Sequence, residues 1–203
     1  MVAHTLHRLV RLLLGLFMFG FGTALMLRAE LGVDPWTVFA EGLSLVTGLG
    51  IGLVTVLVGL TVLLLWIPLK QKPGVGTVAN ALLIGPFMEV GLFLIDTPPT
   101  LPLKIIFFSS GLLMVAIGSG WYLGTGLGPG PRDGLMTGLN RRFGWPLWVS
   151  RTSIEVTVVV SGWLLGGTVG FGTVAFAILI GPLVQPAVKA LAMPDYWEKR
   201  TGK

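Results

Sequence analysis

GTVANALLIGP, at residues 76–86, returns as GTVAFAILIGP at residues 172–182. Nine of the eleven positions are identical, and the offset of 96 residues is nearly half of the 203-residue chain. The same offset aligns Gly15, Leu16, Met18 and Gly22 with Gly111, Leu112, Met114 and Gly118. It aligns LGVDP (31–35) with LGPGP (127–131), Gly42-Leu43 with Gly138-Leu139, and Thr61-Val62 with Thr157-Val158. No gap is needed. Chance similarity between apolar helices does not keep one register across three spans and two loops, so the chain reads as an internal duplication.

The duplicated unit is a membrane unit. Apolar residues make up 53% of the chain and charged residues 11%, which is about half the charge of a soluble domain. Ile51 to Leu69 and Ile105 to Thr125 carry no charge at all. Uncharged runs of about 20 residues have the length of a bilayer-crossing helix. The net charge of +5 is read as loop charge that orients the chain, and nucleic acid is not expected as a partner. The absence of cysteine excludes disulfides and thiolate chemistry. The two histidines, His4 and His7, stand at the N-terminus, and no His/carboxylate cluster has metal-ligand spacing. Neither a metal nor a cofactor is expected. The first apolar stretch, Leu9 to Ala29, is long for a signal-peptide core and has a twin in mid-chain, so it is read as retained.

The expected fold is an all-α polytopic membrane protein with six transmembrane helices. The spans are placed at about 8–29, 50–69, 74–95, 103–126, 147–166 and 169–190. Segments 35–48 and 131–144 are too short to cross. Each has proline at its start, Pro35 or Pro131, and glycine at its end, Gly48 or Gly144. Residues 1–98 form the first repeat and 99–203 the second, with a cytoplasmic tail at 191–203. Each repeat is a span, a short non-spanning helix, re-entrant or interfacial, and two more spans. Three spans per repeat invert the second relative to the first. With both termini cytoplasmic, inner segments hold twelve lysines and arginines, and outer segments hold only Arg28 and Lys104, as the positive-inside rule requires. Trp36, Trp66, Trp148 and Trp197 fall near span ends, where interfacial anchoring accounts for them.

Pro86 and Pro182, each preceded by glycine (Gly85, Gly181), fall about 10–13 residues into their spans, or roughly 15–20 Å deep. A simple kink is one reading. The other is a helix broken near mid-membrane in each repeat, a construction that secondary transporters use to frame a solute site. The repeats diverge around these breaks: Asn80 stands against Phe176, Glu89 against Gln185 and Gly59 against Glu155. Ionisable groups inside spans are candidates for function. Glu155 lies roughly 12 Å from the inner surface, with Arg151 one turn before it on the same face. A purely structural pair, with Arg151 reaching the headgroups, is the competing reading. Glu89 faces either an outer vestibule or the interface. The inner loop GTGLGPGPRDG (124–134) joins flexible glycines to a helix start and Arg132, a combination that favours an anion. The competing reading is a tight turn with Arg132 paired to Asp133. The candidate substrate-binding set is Asn80, Gly85, Pro86, Glu89, Arg132, Arg151, Glu155, Gly181, Pro182 and Gln185. Gly120, Gly124 and Gly128, four apart, offer a close helix contact.

The twin G-T-x-x-x-A-x-x-x-G-P motifs, with the L-G-x-x-P segment that opens each short helix, resemble the YczE/YyaS/YitT family of bacterial integral membrane proteins over nearly the whole chain. The resemblance implies a bacterial cytoplasmic (inner) membrane location and assigns no residue a role. The expected function is a secondary transporter or facilitator of a small polar solute, an anion among the candidates, working by alternating access between inverted repeats. A substrate-binding subunit of a larger transporter and a non-catalytic scaffold or assembly factor stand as alternatives. No nucleophile beside a base and no G-x-S-x-G elbow is found, so an enzyme is not expected. Expected partners are membrane lipids and the solute, with a homodimer and ATPase subunits left open.

Overall fold

The computed structural model describes residues 2–193, and the distal part of the 191–203 tail, with Trp197, lies outside them. The described residues form eight helices and no strand: α1 (Val2–Ala29), α2 (Pro35–Thr47), α3 (Ile51–Leu65), α4 (Val75–Leu94), α5 (Leu101–Leu123), α6 (Pro131–Phe143), α7 (Leu147–Leu164) and α8 (Phe171–Leu191). The short helices α2 and α6 begin on proline, whose fixed φ suits a first helical turn and whose missing N–H has no partner there to lose. Both end on a glycine in the left-handed region, Gly48 at φ 70° and Gly144 at φ 72°. Asp34 caps α2, accepting hydrogen bonds from the backbone N–H groups of Trp36 and Thr37 at 3.2 and 3.3 Å.

Four helices are long and apolar enough to cross a bilayer, α1 (over Thr5–Ala29), α4, α5 and α8, with a fifth if α2 and α3, bent by 116° at their junction, count as one crossing. Of the six expected crossings, α3 and α7 fall short. The 15 residues of α3 extend about 22 Å, against roughly 30 Å of hydrocarbon. α7 has 18 residues but carries Arg151 and Glu155.

The expected helix breaks do not occur. α4 runs uninterrupted through Pro86, and α8 through Pro182 and Pro186. Pro86 and Pro182 lie on the exposed face, so their rings press on their own helix alone, and each removes only one backbone donor. Helical bonding therefore resumes within the next turn.

The centre of the bundle is the α1–α5 pair. It is antiparallel and built on glycine. A Cβ placed on Gly15 would lie 2.7 Å from the Gly118 carbonyl oxygen, and one on Gly118 would lie 2.6 Å from that of Gly15. Gly22 and Gly111 face each other in the same way, at 2.7 and 2.4 Å. No side chain fits there, so the two backbones touch. Gly111 and Gly118 are the 96-residue partners of Gly15 and Gly22, so each contact is the other's counterpart with the halves exchanged.

This reciprocity recurs throughout. The Gly172 N–H donates to the Leu31 carbonyl at 2.6 Å, and the Gly76 N–H to the Leu127 carbonyl at 2.9 Å. Gly91 of α4 receives Ala24 of α1, and Gly120 of α5 receives Ala187 of α8. Of the three glycines spaced four apart, only Gly120 lies within a helix. Gly124 caps α5 and Gly128 lies in the loop beyond, so their close approaches, to Leu191–Ala192 and to Gly74, are loop contacts rather than the expected helix contact. An apolar groove between α3 and α7 is lined by offset pairs, among them Phe39 with Leu135, Val58 with Ile154 and Thr61 with Thr157.

Two tryptophans expected at the interface are interior. Trp66 is 2% exposed, and its indole N–H donates to the Pro131 carbonyl at 3.0 Å. Its ring fills the space where Gly134 has no side chain, and a Cβ there would fall 1.8 Å from a ring carbon. Trp36 is buried too, while Trp148 is exposed. Proximity to a span end in sequence does not fix depth when the adjoining loop folds back into the bundle.

Candidate functional site

Both short helices start buried and finish exposed. Their N-terminal ends meet inside the bundle and form one wall of a cavity of about 290 Å³ to which all eight helices contribute. Here the two unlike loops of the sequence become complementary. Arg132, at the start of α6, donates to Asp34, at the start of α2, at 2.9 Å. The expected local pairing of Arg132 with Asp133 is therefore corrected, and the partner lies 98 residues away. The guanidinium also sits over the Trp36 ring, 5.0 Å from its centroid. Asp34 is 5% exposed in its side chain and accepts from two backbone N–H groups, the Thr37 hydroxyl and Arg132. Three of these donors converge on Oδ1 and the Thr37 hydroxyl on Oδ2.

On α7, Arg151 pairs with Glu155 at 2.9 Å across one helical turn. Asp133 makes no ion pair among the described residues. It lines the cavity and is itself exposed. Desolvation raises its carboxyl above the ordinary carboxylate range, assisted by Glu155 and opposed by Arg132, Arg151 and a backbone hydrogen bond at Gly130.

Three polar groups from three helices converge beside Gly130. The position a Cβ would take there lies 3.1 Å from the Tyr122 hydroxyl, 3.5 Å from Asp133 Oδ2 and 3.6 Å from Asn80 Nδ2. Asn80 is 9% exposed and Ser119 is 5% exposed. Both line the cavity, and neither side chain has a hydrogen-bond partner among the described residues. Phe19, Trp36, Tyr122 and Phe176 supply aromatic surface.

The cavity collects six of the sequence candidates: Asn80, Arg132, Arg151, Glu155, Gly181 and Gln185. Gly85, Pro86, Glu89 and Pro182 lie outside its lining. Gly85 and Glu89, four apart on one face of α4, turn to α3 instead. A Cβ on Gly85 would lie 2.1 Å from the Gly52 carbonyl oxygen, and Glu89 Oε1 accepts from the Gly52 N–H at 2.7 Å. Glu89 thus supplies a carboxylate to the start of α3, whose own cap residue, Gly50, has no side chain. It faces neither of the two surroundings expected for it. Pro86 and Pro182 are rotated about 100° from their glycines, onto the outer face.

Asp34, Asp133, Ser119, Tyr122 and Thr55 are polar cavity residues that sequence reasoning left out of the candidate set. One signal pointed to the first: an acid and a base stand in equivalent loops of the two repeats. For Ser119 and Tyr122, a hydroxyl in an apolar helix gives no indication of the direction it faces.

On the α7–α8 side the cavity is open. Nothing lies within 4 Å of a Cβ built on Gly181, the partner of Gly85. α7 and α8 make at most a marginal contact, whereas their counterparts α3 and α4 pack along their length.

A family described as "Family of unknown function (DUF6198)" matches residues 6–189. A Haemophilus influenzae protein titled "Uncharacterized protein" is 41% identical over 174 residues, covering 86% of this chain and 80% of its own. The Bacillus subtilis "Uncharacterized membrane protein YczE" is 34% identical over 173 residues, 84% of this chain and 80% of its own. The Bacillus subtilis "Uncharacterized protein YyaS" is 26% identical over 176 residues, 85% of this chain and 88% of its own. The resemblance carried by the twin motifs therefore holds across the chain. No solved structure matches it.

Proposed function

We propose that this chain, which belongs to the DUF6198 family of unknown function, is a carrier that moves a small polar solute across the bacterial inner membrane by alternating access. In this reading α3 and α7 complete six crossings, the two 96-residue-offset repeats are inverted, and both termini are cytoplasmic. The cavity is the solute site.

One observation carries the reading: two seams built from equivalent residues are in opposite states. The α3–α4 seam is shut by Gly85 against Gly52 and by the Glu89 hydrogen bond. The α7–α8 seam, with Gly181 against Trp148 in the same offset, stands apart. With the proposed orientation, the shut seam closes the cavity to the outside and the parted seam opens it to the cytoplasm. An inverted repeat supplies the reverse state by exchanging the two conformations between halves.

The chain has no cysteine, so one introduced thiol reports alone. Thr55 lines the cavity from α3. Thr55→Cys should react with a membrane-impermeant maleimide from the cytoplasmic side, and more slowly from the outside as the α3–α4 seam opens. Normal labelling from inside, with none from outside under any condition, would overturn the carrier. It would instead favour a substrate-binding subunit or a scaffold, which needs no second opening.

A further inference from the structure

We infer that the cavity takes a small organic cation, an ammonium-bearing solute, with Asp133 as its counter-charge. This deepens the carrier reading, rests on it, and departs from the anion that the sequence alone favours.

The first argument is charge. Five ionisable carboxyl and guanidinium side chains line the cavity: Asp34, Arg132, Asp133, Arg151 and Glu155. Arg132 is held by Asp34 and Arg151 by Glu155, each at 2.9 Å. Each guanidinium keeps N–H donors to spare, but its charge is already matched by a carboxylate, so an anion would add negative charge with no unmatched cation to offset it. Asp133 is the group left over. With both pairs intact, the cavity carries one net negative charge when Asp133 is ionised, and a monocation satisfies it without breaking either pair.

The second argument is geometry. Asp133 Oδ2, the Tyr122 hydroxyl and the Asn80 side-chain amide surround the space beside Gly130 at 3.5, 3.1 and 3.6 Å. That spacing leaves room for a donor head to touch carboxylate and hydroxyl together, with the amide turning its oxygen inward. Buried polar groups are ordinarily hydrogen-bonded. Asn80 and Ser119 are nine-tenths or more buried, line this space and have no partner among the described residues. They are therefore placed to receive a polar solute. Tyr122 and Phe176 line the same cavity, and aromatic rings there favour a cation over a neutral solute of the same size. A volume near 290 Å³ is at the lower limit of ligand pockets, so the solute is small.

The test uses three probes of one size and shape, propylammonium, propionamide and propionate, at equal ionic strength. The readout is the thermal unfolding midpoint of the purified full chain in detergent. Propylammonium should raise the midpoint, and the other two should not. Asp133→Asn should lose the shift, and Asp133→Glu, which restores the charge, should regain part of it. The charged and titratable groups that share the cavity with Asp133 are Arg132 on its own helix, Arg151 and Glu155 on α7, Asp34 before α2 and Tyr122 on α5, with Asn80 the polar residue from α4. The carboxyl of Asp133 is the one no arginine pairs, so protonating it removes the ligand's counter-charge. Propylammonium affinity should therefore weaken on acidification, by up to about tenfold per pH unit below the carboxyl's midpoint.

A shift from propionate alone, no shift from any probe, or a propylammonium shift that survives Asp133→Asn would each overturn the cation site. Labelling of Thr55→Cys from both sides uses no solute, so the carrier reading stands or falls separately.

Discussion

The α3–α4 and α7–α8 seams share one sequence pattern at the 96-residue offset and differ in how they pack. In both, a Gly-Pro helix, α4 or α8, presents glycine and a polar residue one turn on, toward its neighbour: Gly85 with Glu89, and Gly181 with Gln185. The neighbour decides the rest. α3 presents Gly52 and Gly59, and the backbones close. α7 presents Trp148 and Glu155 in the same register, and neither permits contact that close. A large ring cannot enter a space that admits no Cβ, and Glu155 lines the cavity and pairs with Arg151 instead. Identical motifs therefore guarantee identical helices and leave the interface to residues on the facing element.

Four results would break or sharpen this contrast. The largest effect is expected at the ion pair that joins the halves. Arg132→Ala leaves Asp34 buried without its cation and should destabilise the protein by about 3 kcal/mol in denaturant or thermal unfolding. Arg151→Ala removes a pair whose arginine is 55% exposed and should cost less than about 1 kcal/mol. Similar losses for both would deny the two halves their different roles.

Next come the matched glycines. Gly85→Ala forces a methyl to 2.1 Å from the Gly52 carbonyl oxygen and should cost about 1–3 kcal/mol. Gly181→Ala meets nothing within 4 Å and should be neutral or stabilising by up to about 1 kcal/mol through helix propensity. Equal losses at the two positions would mean that the α7–α8 seam closes in solution as tightly as the other.

Glu89→Gln keeps an acceptor for the Gly52 N–H but removes the charge at the start of α3. It should cost about 1 kcal/mol and raise the rate at which Thr55→Cys is labelled from outside. An unchanged rate would separate Glu89 from the seam's opening.

The smallest effect concerns Asp133. Its folded-state carboxyl is raised, first by desolvation, so the folded protein prefers the protonated form. The associated stability is present below the unfolded value of 3.8 and is lost as pH rises through the folded one. Asp133→Asn, uncharged at every pH, should therefore raise the unfolding midpoint near neutrality and flatten its rise on mild acidification. A midpoint lowered at neutral pH would mean that ionised Asp133 is stabilising.

Much of the fold was legible because its causes are local. Pro35 and Pro131 start the short helices, and Gly48 and Gly144 stop them, within one residue of expectation. The six long helices also fall within a few residues of their expected limits, except that α1 starts earlier and α3 stops earlier. Local pattern misled where a second element intervened. Glu89 and Pro86 both lie near the Gly-Pro site, yet Glu89 faces α3 and Pro86 faces outward. Trp66 sits at a helix end and is nonetheless buried beneath α6.

The sequence by itself determined the apolar helices, their ends and the 96-residue register of the duplication. Hydropathy, proline and glycine act within a few residues of where they stand, so a linear reading captures them. Tertiary structure alone decided that Arg132 meets Asp34, that Asp133 is left unpaired, and that one seam is shut while its twin is parted. Those outcomes depend on groups about 30 to 100 residues apart in the chain. Charge and size act there across space, between surfaces that only the folded bundle brings together.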